Sequence, residues 1–394
     1  MNVCTFGIRF PFVFCAVFAA LLLPGPAEPA SGARFHTGGV GSCQGCHLMH
    51  SASPDGSPLL LGPDASSLCL NCHASGGANS PSVLSPDGSA LTPGGDFYWL
   101  SKSFSWLDGA SSGDSHGHNI VARDFNLFAD AVNSLAPGGS FPASQLGCTS
   151  CHDPHGQVGG GTSAGAPAVS GPGSYAASAP INTVRGHYRL LGDVGYRPNG
   201  GPVFQSAAPI ARQSQINKYQ ESDSSHVDYG TGMSEWCGNC HAELLSGNHQ
   251  VAGGAFSHPA GKNELLDQEI AAVYNSYIKT GDLSGTAATA YLQFVPFERR
   301  TSDPQQLDPL STQGPTVNAN VMCLSCHRAH ASAFSNIGRW DLAAGLLVES
   351  HPATGDAGAT ASDIMYSYSA RDIASEFGSG QGQFCQKCHG ASTP

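Results

Sequence analysis

Six copies of Cys-x-x-Cys-His account for every cysteine beyond residue 15, and no other feature of this 394-residue chain restricts its fold as severely. They are Cys43/Cys46/His47, Cys69/Cys72/His73, Cys148/Cys151/His152, Cys237/Cys240/His241, Cys323/Cys326/His327 and Cys385/Cys388/His389. Two thiols three residues apart, followed by an imidazole, form the attachment motif of c-type haem. The sulfurs add to the two vinyl groups of one porphyrin, and the histidine ligates its iron. A lone Cys-x-x-Cys fits a zinc knuckle or a redox disulfide equally well. Six copies, each with its histidine and none leaving a stray thiol, favour six covalently bound haems c over both.

Wrapping haems demands little regular structure, and the composition agrees. Gly (50) and Pro (26) are abundant while charged residues make up 12%, against roughly 25% in ordinary globular domains. Low charge argues against polyelectrolyte disorder, and Gly and Pro argue against long helices and continuous sheet. The expectation is a mostly irregular coil with short helices and few short strands. The motifs begin at 43, 69, 148, 237, 323 and 385, so no fixed period supports a solenoid. Residues 156–183 read as a Gly/Ala/Ser/Pro-rich surface loop. Leu266, Ile270, Val273, Tyr274, Tyr277 and Ile278 recur at helical steps until Gly281, which predicts a helix; 285–294 and 362–377 are weaker candidates. Each haem motif is expected on a single helical turn.

The N-terminus reads as a secretory signal. Arg9 precedes an apolar stretch from Phe12 to Leu23, and Ser31-Gly32-Ala33 offers a cleavage site, with Ala27 and Ala30 as competitors. The stretch falls short of the roughly 20 residues that span a bilayer. Cys4 and Cys15 lie within the segment to be removed, and Phe14 stands where a lipoprotein box needs a small residue. Residues 1–33 are thus read as a removed signal peptide and 34–394 as one hexahaem domain without a transmembrane segment. Export suits the cofactor, since c-type haem is attached outside the bacterial cytoplasm. A formal charge of −12 argues against nucleic-acid binding.

An electron-transfer haem takes a ligand on each face of its iron. Eleven histidines lie outside the motifs and only four methionines follow the leader, so histidine has the larger supply. His50, His155 and His330 each stand three residues after a motif histidine. An imidazole one helical turn on lies on the same side of its own haem as the proximal ligand, so if it binds iron it binds that of a different haem. A surface histidine or propionate partner is the alternative, which three parallel occurrences disfavour.

Several stretches carry a resemblance to a known family. They are Phe35-His36-Thr-Gly-Gly-Val40, Thr92-Pro-Gly-Gly-Asp-Phe97, Gly117-His118-Asn-Ile-Val-Ala122 and Cys151-His-Asp-Pro-His155-Gly156. Tyr229-Gly-Thr-Gly-Met-Ser-Glu-Trp-Cys237, His258-Pro-Ala-Gly261, Tyr274-Asn-Ser-Tyr277 and Cys323 through Ser332 continue it across the mature chain. In these the chain resembles the OmcS-type hexahaem cytochromes, whose subunits polymerise into extracellular haem wires. The resemblance implies a chain of six stacked haems, alternating parallel and T-shaped, with His36, His50, His118, His155, His258 and His330 as distal ligands. It further implies that His50 ligates the fifth-motif haem of an adjacent subunit. Spacers 157–226 and 335–380 depart from the family in length.

With both iron faces filled, no haem is open to substrate, so the reading is an electron carrier and not an enzyme. The expected product is a conductive extracellular filament of a Gram-negative bacterium, passing respiratory electrons to metal oxides, electrodes or partner cells. Other multihaem cytochromes or outer-membrane conduits would be its donors. The rivals are a soluble periplasmic shuttle with the same haems and a multihaem reductase, whose open haem is often marked by Cys-x-x-Cys-Lys, a motif not found here.

Overall fold

The computed structural model describes residues 45–52, 58–74, 81–154, 188–214, 220–246, 250–251, 254–255, 260–277 and 283–390. Met1–Ser31 and Gly32–Pro394 separate as two units, the first wholly outside the described residues. The expected leader at 1–33 and the loop at 156–183 therefore lie outside them too.

In chain order the elements are β1 (His47–Ala52), β2 (Pro58–Leu60), α1 (Ala65–His73), β3 (Phe104–Trp106), β4 (Gly109–Ser111) and α2 (Cys148–Cys151). Then follow β5 (Ile210–Gln213), β6 (Val227–Thr231), α3 (Met233–Cys237), α4 (Ala242–Ser246), β7 (Gln250–Val251) and β8 (Gly254–Ala255). The last are α5 (Gln268–Ser276), α6 (Cys323–Cys326), α7 (Ala361–Ser367), α8 (Ile373–Phe377) and α9 (Gln386–His389). Among the described residues the strands form four antiparallel two-stranded ribbons, β1–β2, β3–β4, β5–β6 and β7–β8, with single bridges from Ser105 to Ala357 and from Tyr229 to Glu298. The chain is mostly coil, as its composition predicts.

Helices begin where a side chain can satisfy the first orphan amides. Asp64 accepts from Ser67 N at 2.7 Å to open α1, and Asp267 accepts from Ile270 N at 2.7 Å to open α5. That cap starts α5 after Leu266, which is buried ahead of the helix, and Tyr277 already turns extended (ψ 129°). Ile278 and Gly281 lie outside the described residues.

The two weaker helix candidates fare differently. In 285–294 only Ala287–Thr289 makes a 3₁₀ turn. Residues 290–297 are buried throughout, and the segment passes through the core bonded to other chain segments, as in Tyr291 N to Thr312 O at 2.9 Å. The 362–377 stretch splits into α7 and α8 because Ser369 and Ala370 take positive φ (58° and 61°).

The main core is aromatic. Phe294 stacks on Phe384 at 5.1 Å, and Phe377 meets Phe384 edge-on at 5.0 Å. The fully buried Trp340 meets Phe384 edge-on at 5.3 Å. A second cluster, including Tyr188, Tyr229, Met233, Met322 and Leu324, gathers beside the third, fourth and fifth motifs.

Candidate metal centres

Backbone carbonyls orient the motif histidines. The Nδ1–H donates to Pro81 O from His73 (3.0 Å), to Arg189 O from His152 (2.8 Å), to Pro137 O from His241 (2.8 Å) and to Asn336 O from His327 (2.8 Å). A carbonyl can only accept, so each bond fixes the proton on Nδ1 and leaves Nε2 as the basic nitrogen, the tautomer a metal-bound histidine needs. His118 is oriented in the same way, with Nδ1 on Ala329 O at 2.7 Å. At two sites the acceptor sits in a left-handed pair, Arg189–Leu190 (φ 52° and 54°) and Asn336–Ile337 (φ 57° and 55°). Non-glycine residues hold that conformation only under local constraint.

Two histidine pairs stand at the separation of a shared metal. His118 faces His241 with ring centroids 6.1 Å apart, and His152 faces His330 at 6.4 Å. Two imidazoles bound through nitrogen at about 2.0–2.1 Å place their centroids about 6 Å apart with the metal between them. Burial first, then the facing His152, pushes His330 down to about 3. Burial also lowers His118 and His241. All three rings are thus neutral at neutral pH, as ligands must be. The residues fit haem iron held between two histidines, at the third motif (His152 with His330) and at the fourth (His241 with His118).

One expectation is corrected here. His152 and His327 do not continue their helical turns: their φ/ψ are −102°/130° and −115°/157°. His47 opens strand β1. At His152 and His327 the helical turn ends at the motif histidine, so the argument from one continuous helical turn fails. His330 nevertheless faces a ring from another motif, because its segment is threaded between two others. His330 N bonds Gly94 O at 2.7 Å on one side, and His118 N bonds His330 O at 2.9 Å on the other. The approach needs glycine. A Cβ on Gly95 (φ +93°) would lie 1.9 Å from Ala331 O, and one on Gly94 would lie 2.8 Å from His330 Nδ1. Asp96 shapes that loop by accepting from Ser85 N, Ala90 N and Tyr98 N at 3.0, 3.1 and 2.9 Å.

The thiols form a relay in sequence order. Cys69 hydrogen-bonds Cys148, and Cys237 hydrogen-bonds Cys323; these bonds push Cys69 and Cys237 up and Cys148 and Cys323 down. Between these contacts, burial and nearby Cys240 push Cys151 up to about 12. Burial, then Cys385 and Cys388, do the same to Cys326. Once haem is attached these sulfurs are thioethers, so the shifts here report proximity. The second through sixth motifs follow one another. Leading thiols meet between the second and third and between the fourth and fifth, trailing thiols between the third and fourth, and the trailing Cys326 lies near both thiols of the sixth. Ser66 and Ser234 brace the leading-thiol junctions, accepting from Cys148 N and Cys323 N at 3.1 Å each. Each stands three residues before the leading cysteine of its own motif, a repeated Ser-x-x-Cys that could have revealed the pairing from sequence.

The third and fifth motifs share a backbone plan. Ser150 Oγ and Ser325 Oγ accept the amides of Gly147 and Met322 at 3.0 and 3.1 Å. Behind each motif the chain returns to bond the trailing cysteine carbonyl, Gly192 N to Cys151 O at 2.9 Å and Arg339 N to Cys326 O at 2.7 Å. Two further carbonyls of each motif are then capped. Tyr196 Oη donates to Thr149 O (2.5 Å) and His152 O (3.3 Å); Arg339 Nε donates to Leu324 O (2.6 Å) and His327 O (3.2 Å). Glu221 Oε2 accepts from both Arg339 Nη1 (3.2 Å) and Arg328 Nη1 (3.1 Å) in a buried triad.

Of the remaining expected site residues, Cys46, Cys72, Cys385, Cys388 and His389 lie on the described chain. Cys43, His36, His155 and His258 fall outside it, as does the side chain of His50, whose backbone lies in β1. Three histidines outside the expected set have other surroundings. His116 is buried against Trp99 O and Ser111. His226 stacks on Tyr291 at 3.6 Å. His351 pairs with Asp356 and stacks on Trp106.

Residues 36–90 match the family model described as a doubled CXXCH motif. The chain is 38% identical over 424 aligned positions, covering 94% of its own length, to the C-type cytochrome OmcS of Geobacter sulfurreducens, 96% of which is covered. Its structure is similar to the Outer Membrane Cytochrome S filament of that organism (TM-score 0.72, 35% identity) and to the OmcS nanowires seen by cryo-EM (TM-score 0.73, 35% identity). Each likeness covers 91% of this chain and all of the other. Among the described residues no helix is long and apolar enough to cross a membrane.

Proposed function

The chain belongs to the OmcS family of C-type cytochromes, and on that premise we propose that it is the hexahaem subunit of a conductive extracellular filament. The observation that carries this reading is the pair of facing imidazoles at 6.1 and 6.4 Å along an ordered thiol relay. Haem iron bound at each motif supplies reversible one-electron chemistry. With a histidine on each side of the iron, the residues would close it to water and substrate, and little rearrangement would accompany each electron. Nδ1-bonded backbone fixes the imidazoles, and the relay keeps neighbouring cofactors in contact.

The ligand set is His47, His73, His152, His241, His327 and His389 on one face, with His36, His50, His118, His155, His258 and His330 on the other. His152 pairs with His330 and His241 with His118. His50 reaches the fifth-motif haem of an adjacent subunit and joins protomers through a metal. Residues 1–33 direct export, and the mature chain acts outside the cell, receiving electrons from other multihaem cytochromes.

Electron microscopy of purified protein, with His50→Ala beside wild type, tests the assembly. Wild type should form filaments, and His50→Ala should lose or shorten them while keeping its haem content. Unaltered filaments in the variant would remove the intersubunit bond. Dispersed wild-type particles with six low-spin haems would leave a soluble carrier. A high-spin or CO-binding haem at native pH would point to a reductase.

A further inference from the structure

The third and fifth motifs present the same two carbonyls to different caps. At the third, Tyr196 supplies a neutral hydroxyl, and its ring fits because Gly192 has no side chain: a Cβ there would lie 2.2 Å from Tyr196 Cδ1. At the fifth, the residue in the place of Gly192 is Arg339, whose own guanidinium makes the two bonds. The residue after the proximal histidine also differs, Asp153 at the third and Arg328 at the fifth, both buried. Arg328 and Arg339 share the single carboxylate of Glu221, so two cations face one anion in the interior.

A surplus cation stabilises the reduced state of a nearby iron, because reduction adds one negative charge. We infer that Arg339, with Arg328 and Glu221, holds the fifth haem at a higher reduction potential than the third, where Tyr196 makes the same backbone contacts without charge. The inference rests on the haem reading above. One electron enters, from the neighbouring carrier in the chain, and no proton or bond is exchanged. A unit charge about 10 Å away at an effective dielectric of about 20 changes the Fe(II)/Fe(III) ratio about tenfold, about 59 mV for one electron.

The experiment is an equilibrium redox titration of the hexahaem protein, followed by optical absorption and by the ferric low-spin EPR signals. Arg339→Gln should move one of the six components to lower potential, with its reduced fraction at fixed potential falling about tenfold. Glu221→Gln should move the same component the opposite way, and Tyr196→Phe should move none by that much. Opposite signs cannot come from a cap that only supports the backbone. If the haem content and low-spin signals of both variants match wild type and their shifts share a sign or vanish, the inference is overturned while the ligand reading stands. If Arg339→Gln does not accumulate, the sign given by Glu221→Gln decides alone. High-spin iron in wild type overturns the ligand reading, and the inference with it.

Discussion

At the third motif the returning chain ends in Gly192 and leaves Tyr196 to cap the turn; at the fifth it ends in Arg339, which caps the turn itself. The backbone of the turn is repeated: the Cys-x-Ser-Cys turn, the left-handed acceptor pair and the extended motif histidine. The parts that place the ligand are backbone-bound and duplicated, while the side chains behind them differ in charge. Coordination geometry and electrostatic environment are thus set by separate residues. That separation allows one plan to serve haems with different roles.

The sharpest way to break the comparison is to remove a distal histidine. His330→Ala should leave the third-motif haem, and not the fifth, with an open iron face, visible as one high-spin, CO-binding haem among six. His118→Ala should do the same at the fourth. If His330→Ala instead opens the fifth-motif haem, the proposed pairing is wrong.

Next in size is Gly95→Ala. A methyl 1.9 Å from Ala331 O, at a φ that L-residues avoid, should destabilise the fold by about 3 kcal/mol. Denaturant unfolding measures this, and a loss below about 1 kcal/mol would mean that the His330 segment is not held as described.

A pH effect should mark the side of the molecule near Glu221. Burial pushes His226 down to about 4, with Glu221, Asp223 and Asp308 pulling up and Arg299 pushing down. The unfolded imidazole protonates near pH 6.5, so between those values the unfolded chain binds more protons and stability falls as pH falls. At pH 5 the loss is about 2 kcal/mol. His226→Phe should remove that slope in urea titrations at pH 7 and pH 5, and an undiminished slope would assign it elsewhere.

The smallest effect concerns symmetry. Ser66→Ala and Ser234→Ala each delete one 3.1 Å bond to the next motif's leading cysteine and should each cost about 1 kcal/mol. Clearly unequal losses would show that the two junctions are not equivalent.

Much of this was legible in the sequence because the haem motifs impose it. Coil with short helices followed from Gly, Pro and low charge, and α5 from its apolar steps. Its true start was set by Asp267, one residue beyond the first apolar position. The helical reading of His327-x-x-His330 failed because the turn ends at Cys326, where Arg339 N takes a trailing carbonyl from a distant segment. The 285–294 stretch misled because from Ala290 onward it is buried on every side, and periodicity cannot tell a helix face from an extended segment passing through a core. Which motif histidine His118 and His330 each face depends on how Gly94 and Gly117 enclose the His330 segment, through contacts more than 200 residues apart in the chain.

The relay of thiols runs in the same order as the polypeptide from the second motif to the sixth. Losing residues from the C-terminal end would therefore shorten the conductor by whole links, and lengthening a spacer would bulge outward from it. Within one subunit neither change alters the order of the motifs that remain, so the current keeps its route there while the chain around it varies.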